Sequence, residues 1–360
     1  MMPRHLLPHV GRLPAGRRNA ITDVAGVTVG HHTLAAQDVQ TGVTVVRPHA
    51  GDLFRDRVPA AAAVFNGFGK SVGLLQIEEL GVLETPIALT NTFSVPAVAT
   101  AQIRQCMATN PETGRSLPTV NPLVFECNDG FLNDIQRMAV TEQHYLQACA
   151  QAGVVVEEGS VGAGRGMSAF GLKGGIGTAS RRLTAENAGA YTVGALVLAN
   201  YGRLPQLVLA GQALGDQLAH ALAPDAAEPE KGSIILLIAT DAPLDARQLR
   251  RLALRAGAGL ARTGSVFGHG SGDIALAFST AYTVPQQADA PMPTLAMLHD
   301  GRLDNLFQAV ADSTEQAILH ALWCARAVTG RNCHQRLALS DLLPGQAAFL
   351  HPFKPSASRP

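Results

Sequence analysis

The residues best suited to chemistry begin with a serine at a boundary. At Lys231-Gly232-Ser233-Ile234-Ile235-Leu236-Leu237 an alanine-rich polar stretch gives way to an apolar run that opens on Ser233. If the Gly232–Ser233 bond breaks, Ser233 becomes an N-terminus. Its own α-amine, with an ordinary pKa of about 7.7 to 8.0, is then partly neutral near physiological pH and can act as base for the hydroxyl. Taken alone, the same step also reads as a linker running into a buried strand.

A second group is Gly268-His269-Gly270-Ser271-Gly272-Asp273, a short glycine-rich loop abutting the apolar run Ile274-Ala275-Leu276-Ala277-Phe278. Two serines thus mark the starts of two apolar strands. If those strands share a sheet, Ser271 can hydrogen-bond to Ser233, and Asp273, two residues on and on the same face of an extended chain, can orient it. A tight glycine turn with a solvated Asp273 is the plainer alternative. Asn200 closes the run Val193-Gly194-Ala195-Leu196-Val197-Leu198-Ala199, a strand end of the kind that often faces a site. Cys127 lies among polar residues in Glu126-Cys127-Asn128-Asp129-Gly130, but a cysteine nucleophile needs a histidine partner that spacing does not supply.

The elements that must position these groups follow from periodicity. Strands are expected over Asn19 to Gly30 and Gly42 to Val46 with a turn at His31-His32, then over residues 60 to 66 and 87 to 93. Helices are expected over Gly73 to Leu80 and Gly130 to Cys149. The stretch from Gly159 to Gly177 holds eight glycines in 19 residues. It lacks both the G-x-G-x-x-G order after a strand and a G-K-[ST] ending, so it reads as close backbone packing rather than a phosphate cradle. Residues 223 to 231, rich in Ala, Pro and Glu, read as a surface linker that a specific cut can sever without unravelling the core. Beyond Ser233 the pattern gives a strand, a turn at Asp241-Ala242-Pro243-Leu244, and a helix over Ala246 to Arg262 capped by Asp245. A further strand follows over Ile274 to Phe278. Asp312-Ser313-Thr314-Glu315 fits a capping box at a helix start, and the tail from Leu343 is Pro- and Ser-rich.

With 360 residues, 47% apolar and 16% charged, the chain can bury a large core. Thirty-six glycines and only 5% aromatics suit tightly packed α/β layers. Zero formal net charge with dispersed Lys and Arg leaves no electrostatic footprint for nucleic acid. The first residues lack the apolar segment of about 7 to 15 residues of a secretory signal, and no run reaches the length of about 18 apolar residues that a membrane span needs. A cytoplasmic protein that does not engage membranes is expected. The five cysteines, odd in number and without C-x-x-C spacing, argue against a disulfide framework and a zinc knuckle. His31-His32, His269 and His334 have no metal-ligand spacing.

Taken in order, several motifs resemble those of the self-processing aminopeptidases that include L-aminopeptidase/D-esterases and β-peptidyl aminopeptidases. They are Asn19-Ala20-Ile21-Thr22-Asp23-Val24, Val27-Thr28-Val29-Gly30-His31, Glu126-Cys127-Asn128-Asp129-Gly130, Leu132-Asn133-Asp134 and Ala199-Asn200-Tyr201-Gly202. Gly232-Ser233-Ile234-Ile235, Ala239-Thr240-Asp241-Ala242-Pro243-Leu244 and Gly270-Ser271-Gly272-Asp273 complete the series. Each motif alone is weak; their order and intervals over nearly the whole chain are specific.

The resemblance implies a layered α-β-β-α sandwich similar to N-terminal-nucleophile hydrolases, shared with ornithine acetyltransferases and nylon-oligomer hydrolases. It implies one hydrolase domain, residues 1–360, that cuts itself between Gly232 and Ser233 into subunits 1–232 and 233–360. Ser233 would be the nucleophile, Ser271 and Asp273 its supports, and Asn200 a donor to the oxyanion. Glu126 would pair with the substrate's ammonium. Relatives place a tyrosine near the position of Asn128 for the oxyanion, and this chain departs there, so that either the Asn128 amide would substitute at the substrate or a different donor would act. The implied reaction releases small N-terminal residues, β- or D-configured ones included, from peptides, amides or esters through an acyl-enzyme. No metal or organic cofactor is implied, and processed pairs would form a homo-oligomer. Hydrolysis or acyl transfer on ω-amino amides and an unprocessed binding protein are the alternatives that the same fold allows.

Overall fold

Apolar residues recurring at strand and helix periods build the elements of the chain in alternation. In the computed structural model, which describes residues 7–184, 190–221 and 232–343, they are β1 (Thr28–Ala36), β2 (Val39–Arg47), β3 (Asp56–Gly67), α1 (Leu74–Leu80), β4 (Ile87–Asn91), α2 (Val95–Thr109), β5 (Val124–Cys127) and α3 (Glu142–Ala150). There follow β6 (Gly175–Arg182), β7 (Thr192–Asn200), α4 (Gly215–Ala221), β8 (Ser233–Thr240), α5 (Ala246–Ala261), β9 (Gly272–Ser279) and α6 (Asp304–Trp323). The linker expected over 223–231 and the tail beyond Leu343 lie outside the described residues.

One sheet has the order β1-β2-β4-β5; the larger has β3-β9-β8-β7-β6, with the short strands Val82–Leu83 and Val284–Pro285 beside β3. Every residue of β8 is buried, as expected for a strand covered on both faces. Its side chains divide by parity. Ile234, Leu236 and Ile238 pack with Leu249, Leu252 and Leu260 of α5 and with Val310, Ile318 and Leu322 of α6. Ile235 and Leu237 meet Leu89, Phe125 and Cys127 of the smaller sheet. Burying each such Leu or Ile is worth about 1.5 to 3 kcal/mol relative to leaving it in water. On the far side Val43, Val45, Ala88 and Val124 pack under Val95 and Val98 of α2 and Tyr145 and Ala148 of α3. The result is four layers, helix, sheet, sheet, helix, as the resemblance implies.

The cap on α5 is the one expected. Asp245 accepts a hydrogen bond from the Gln248 N–H at 2.7 Å, and Gln248 Oε1 accepts one from the Asp245 N–H at 3.1 Å. Other expectations need correction. The strand expected from Asn19 is a 3-10 turn at Ile21–Asp23, because the Asp23 carboxylate takes the N–H groups of Arg18 and Ala20. His31 and His32 sit inside β1, and the chain turns later, where Gln37 has φ 50°. The helix expected from Gly130 forms only over Glu142–Ala150, since a 3-10 turn at Ile135–Arg137 ends at Met138 in the left-handed region. Asp312 to Glu315 are not a cap. They are buried in the middle of α6, where Asp312 and Glu315 pair with Arg262 at 2.8 and 3.4 Å.

Candidate active site

The sheet register gathers the chemistry at one end of three neighbouring strands. β8 pairs antiparallel with β7, bringing Ser233 opposite Asn200, and pairs parallel with β9, bringing Ser233 opposite Gly272. Ser271 and Asp273 therefore flank Ser233 on the adjacent strand. Ser233 is 4% exposed, and its Oγ accepts a hydrogen bond from the Gly272 N–H at 3.1 Å. Ser271 Oγ donates to Asp273 Oδ1 at 2.5 Å, and both residues are buried. The hydroxyl of Ser271 is thus turned to Asp273, where the sequence suggested a bond to Ser233.

Glycine is required on both sides of the nucleophile. A Cβ on Gly272 would lie 2.9 Å from the Phe68 carbonyl oxygen and 3.1 Å from Ser233 Oγ; one on Gly232 would lie 2.3 Å from the Asn200 carbonyl oxygen. The 268–271 loop is held by a residue that sequence reading passed over. Asn66 Nδ2 lies within hydrogen-bond distance of the carbonyls of Gly268, His269 and Ser271, at 2.7, 3.2 and 2.6 Å. A register shift between β3 and β9 falls at Asp273/Ile274, a bulge of the kind that re-aims side chains beside active sites.

Asn200 is fixed at both ends of its amide. Its Oδ1 accepts from the Ser168 N–H at 2.8 Å, and its Nδ2 donates to the Asn128 carbonyl at 3.0 Å, leaving the second Nδ2 hydrogen for another acceptor. Ser168 belongs to the glycine-rich stretch. That stretch is tied down by the buried Lys173, whose Nζ donates to the carbonyls of Gly164, Met167 and Gly174 at 2.7 to 2.8 Å. Burial holds the Lys173 ammonium well below its usual range. The side chain of Asn128 is exposed and its Oδ1 accepts from the Gly130 N–H at 2.9 Å, so its tie to Asn200 runs through the backbone.

Glu126, on β5, is 3% exposed. Its Oε1 accepts from the Lys70 N–H at 2.8 Å and its Oε2 from the Thr92 hydroxyl. A carboxylate has lone pairs beyond these two bonds, so Glu126 keeps capacity to accept a further hydrogen bond. Cys127 is fully buried with Sγ 3.4 Å from the Ser233 carbonyl oxygen, to which it donates. Burial first, then the charges of Glu126, Asp273 and Asp129, push its thiol well above the ordinary range, which is the wrong direction for a nucleophile. Burial also pushes Asp129 up to about 7. Thr92, Lys70, Asn66 and Ser168 carry no local motif; their roles arise from contacts across the fold.

Among the described residues no group of three or more His, Cys, Asp or Glu is placed to hold a metal ion, and no helix is long and apolar enough to cross a membrane. The arrangement is a buried serine beside a Ser–Asp pair, a pinned amide donor and a buried carboxylate. It is suited to acyl transfer.

The chain is 39% identical over 338 residues to the beta-peptidyl aminopeptidase BapA of Sphingosinicella xenopeptidilytica, covering 88% of this chain and 83% of that one. The beta-aminopeptidase of Burkholderia sp. superimposes with a TM-score of 0.86 at 42% identity, over 95% of this chain and 98% of that one. The L-aminopeptidase D-Ala-esterase/amidase of Ochrobactrum anthropi, a serine aminopeptidase with a variant of the Ntn hydrolase fold, gives 0.85 at 35% identity, over 94% and 97%. The model of Peptidase family S58 matches residues 19–336, which include every residue of the site, and the chain belongs to that family.

Proposed function

We propose that this S58 peptidase is an aminopeptidase that cuts its own Gly232–Ser233 bond and then works through the freed Ser233. In processing, Ser233 Oγ adds to the Gly232 carbonyl and the C–N bond breaks. The amine of Ser233 leaves with the proton, and water hydrolyses the resulting ester to free the Gly232 carboxylate. In turnover, the α-amine takes the Ser233 hydroxyl proton as Oγ attacks the scissile carbonyl. The amine returns that proton to the leaving group, and water then releases the acyl group. The second hydrogen of Asn200 Nδ2 faces the oxyanion, Glu126 takes the substrate's ammonium, and the Ser271–Asp273 pair orients the Ser233 amine.

The observation that carries this reading is the register that sets Ser233 between Asn200 and the Ser271–Asp273 pair on adjacent strands. Small N-terminal residues of peptides, amides or esters, β- and D-configured ones included, are the substrates, in line with the names of its relatives. Five free cysteines fit a reducing cytoplasm. A homo-oligomer of processed pairs, which the family resemblance implies, belongs to the same proposal.

Ser233→Ala tests it. The variant should stay a single chain and lose aminopeptidase activity by about 10⁴-fold or more. A variant that still splits at residue 232, or still hydrolyses aminoacyl anilides at a wild-type rate, would contradict the reading.

A further inference from the structure

Gly69, the residue just before the Lys70 N–H that binds Glu126, lies beside that carboxylate and beside Gly272, whose N–H donates to Ser233 Oγ. A Cβ placed on Gly69 would lie 3.6 Å from Glu126 Oε1, 3.6 Å from Ile274 Cδ1 and 3.9 Å from Gly272 Cα. A Cβ on Gly272 would in turn lie 2.9 Å from the Phe68 carbonyl oxygen and 3.1 Å from Ser233 Oγ. The three contacts at Gly69 are of ordinary van der Waals length, so a methyl group fits there without displacing its neighbours. The φ of Gly69 is outside the left-handed range that favours glycine. Neither sterics nor backbone geometry therefore demands glycine at this position, in contrast to Gly232 and Gly272.

We propose that Gly69 determines specificity by leaving open the space between the ammonium-binding carboxylate and the nucleophile, which sets how many bonds can separate the substrate's amine from its scissile carbonyl. This rests on the reading of Glu126 and Ser233 given above. An α-aminoacyl group puts one carbon between amine and carbonyl, and a β-aminoacyl group puts two. With the amine held at Glu126 and the carbonyl at Ser233, the extra methylene of a β-aminoacyl group must occupy the space that a Gly69 side chain would fill. Ile274, 3% exposed, forms the opposite wall with its Cδ1.

The test compares kcat/KM for the p-nitroanilides of β-alanine and glycine, which differ by that one methylene. In G69A the β-alanyl to glycyl ratio should fall at least about 10-fold, within the range that one methylene commands in a fitted pocket. Self-cleavage, followed by intact mass, should persist, and the glycyl rate should stay within about threefold of wild type. I274V, which removes Cδ1 from the other side, should raise the ratio, and it decides the matter if G69A does not mature. A G69A ratio within twofold of wild type, an equal loss on both substrates, or an I274V ratio that does not rise where G69A fails to mature would overturn the role of Gly69. A wild-type chain that neither cleaves itself nor hydrolyses either anilide would overturn the underlying reading together with it.

Discussion

At the scale of single residues the account turns on how firmly Asn200 is held. A donor already aimed at the developing charge needs no reorganisation during reaction, and Ser168 and Asn128 fix both ends of the Asn200 amide. Asn200→Ala should therefore lower kcat by about 10²- to 10³-fold with KM little changed, read from steady-state kinetics on an aminoacyl anilide. An unchanged kcat would remove Asn200 from the oxyanion site. Ser233, Asn200, Ser271 and Asp273 are legible in the sequence because each stands at the end of an apolar run, where a polar residue is conspicuous. Asn66 is not legible: its bond to the Ser271 carbonyl spans 205 residues, and nothing near Asn66 announces it. The same holds for Thr92 and Lys70 at Glu126. The partner of Ser271 also differs from the reading by spacing, because the Asp273 carboxylate on the same strand is a stronger acceptor than a neutral hydroxyl.

At the scale of elements, β1 and β2 carry a built-in sensitivity to acid. His31 of β1 is half-buried with Nδ1 2.9 Å from Thr44 Oγ1 of β2, and desolvation of its ring pushes its pKa down to about 4, against the opposing pull of the Glu157 backbone and the Glu158 charge. In the unfolded chain His31 takes a proton near its ordinary pKa of about 6.5, while the folded chain resists until about 4. Stability from this residue is complete above pH 6.5 and falls as pH drops toward 4, with a slope of at most about 1.4 kcal/mol per pH unit. His31→Asn should flatten that slope in urea unfolding at pH 7 and pH 5, and an equal slope in variant and wild type would contradict the assignment. Helix α2 shows what periodicity misses. It is not among the helices expected from periodicity, and Pro96 stands in its first turn, where the missing N–H has no intrahelical partner to lose. Asp312 to Glu315 show a different mismatch, a cap signature lying inside α6, where Asp312 and Glu315 pair with Arg262 at the C-cap of α5.

At the scale of the whole molecule, the four-layer architecture explains how a cut chain can stay together. Ser233 begins β8, which pairs with β7 from before residue 232, and β9 from after it pairs with β3 from before. Both seams join residues 1–232 to residues 233–360, and the apolar faces of β8 and β9 are buried against both flanking layers. A break at Gly232–Ser233 would leave these seams intact. Much of this was legible: the alternation of strands and helices, the apolar run of β8 after Ser233 and the capped α5 all follow from local pattern. The strand order was not, because the placement of β8 between β7 and β9 is fixed by packing across sheets rather than by any neighbouring residue. The claim that Ser233 is a self-generated N-terminus is tested most directly by the intact mass of the purified wild-type protein. Two species should appear, matching residues up to Gly232 and from Ser233 onward; a single uncut chain that still hydrolyses aminoacyl substrates would contradict the account.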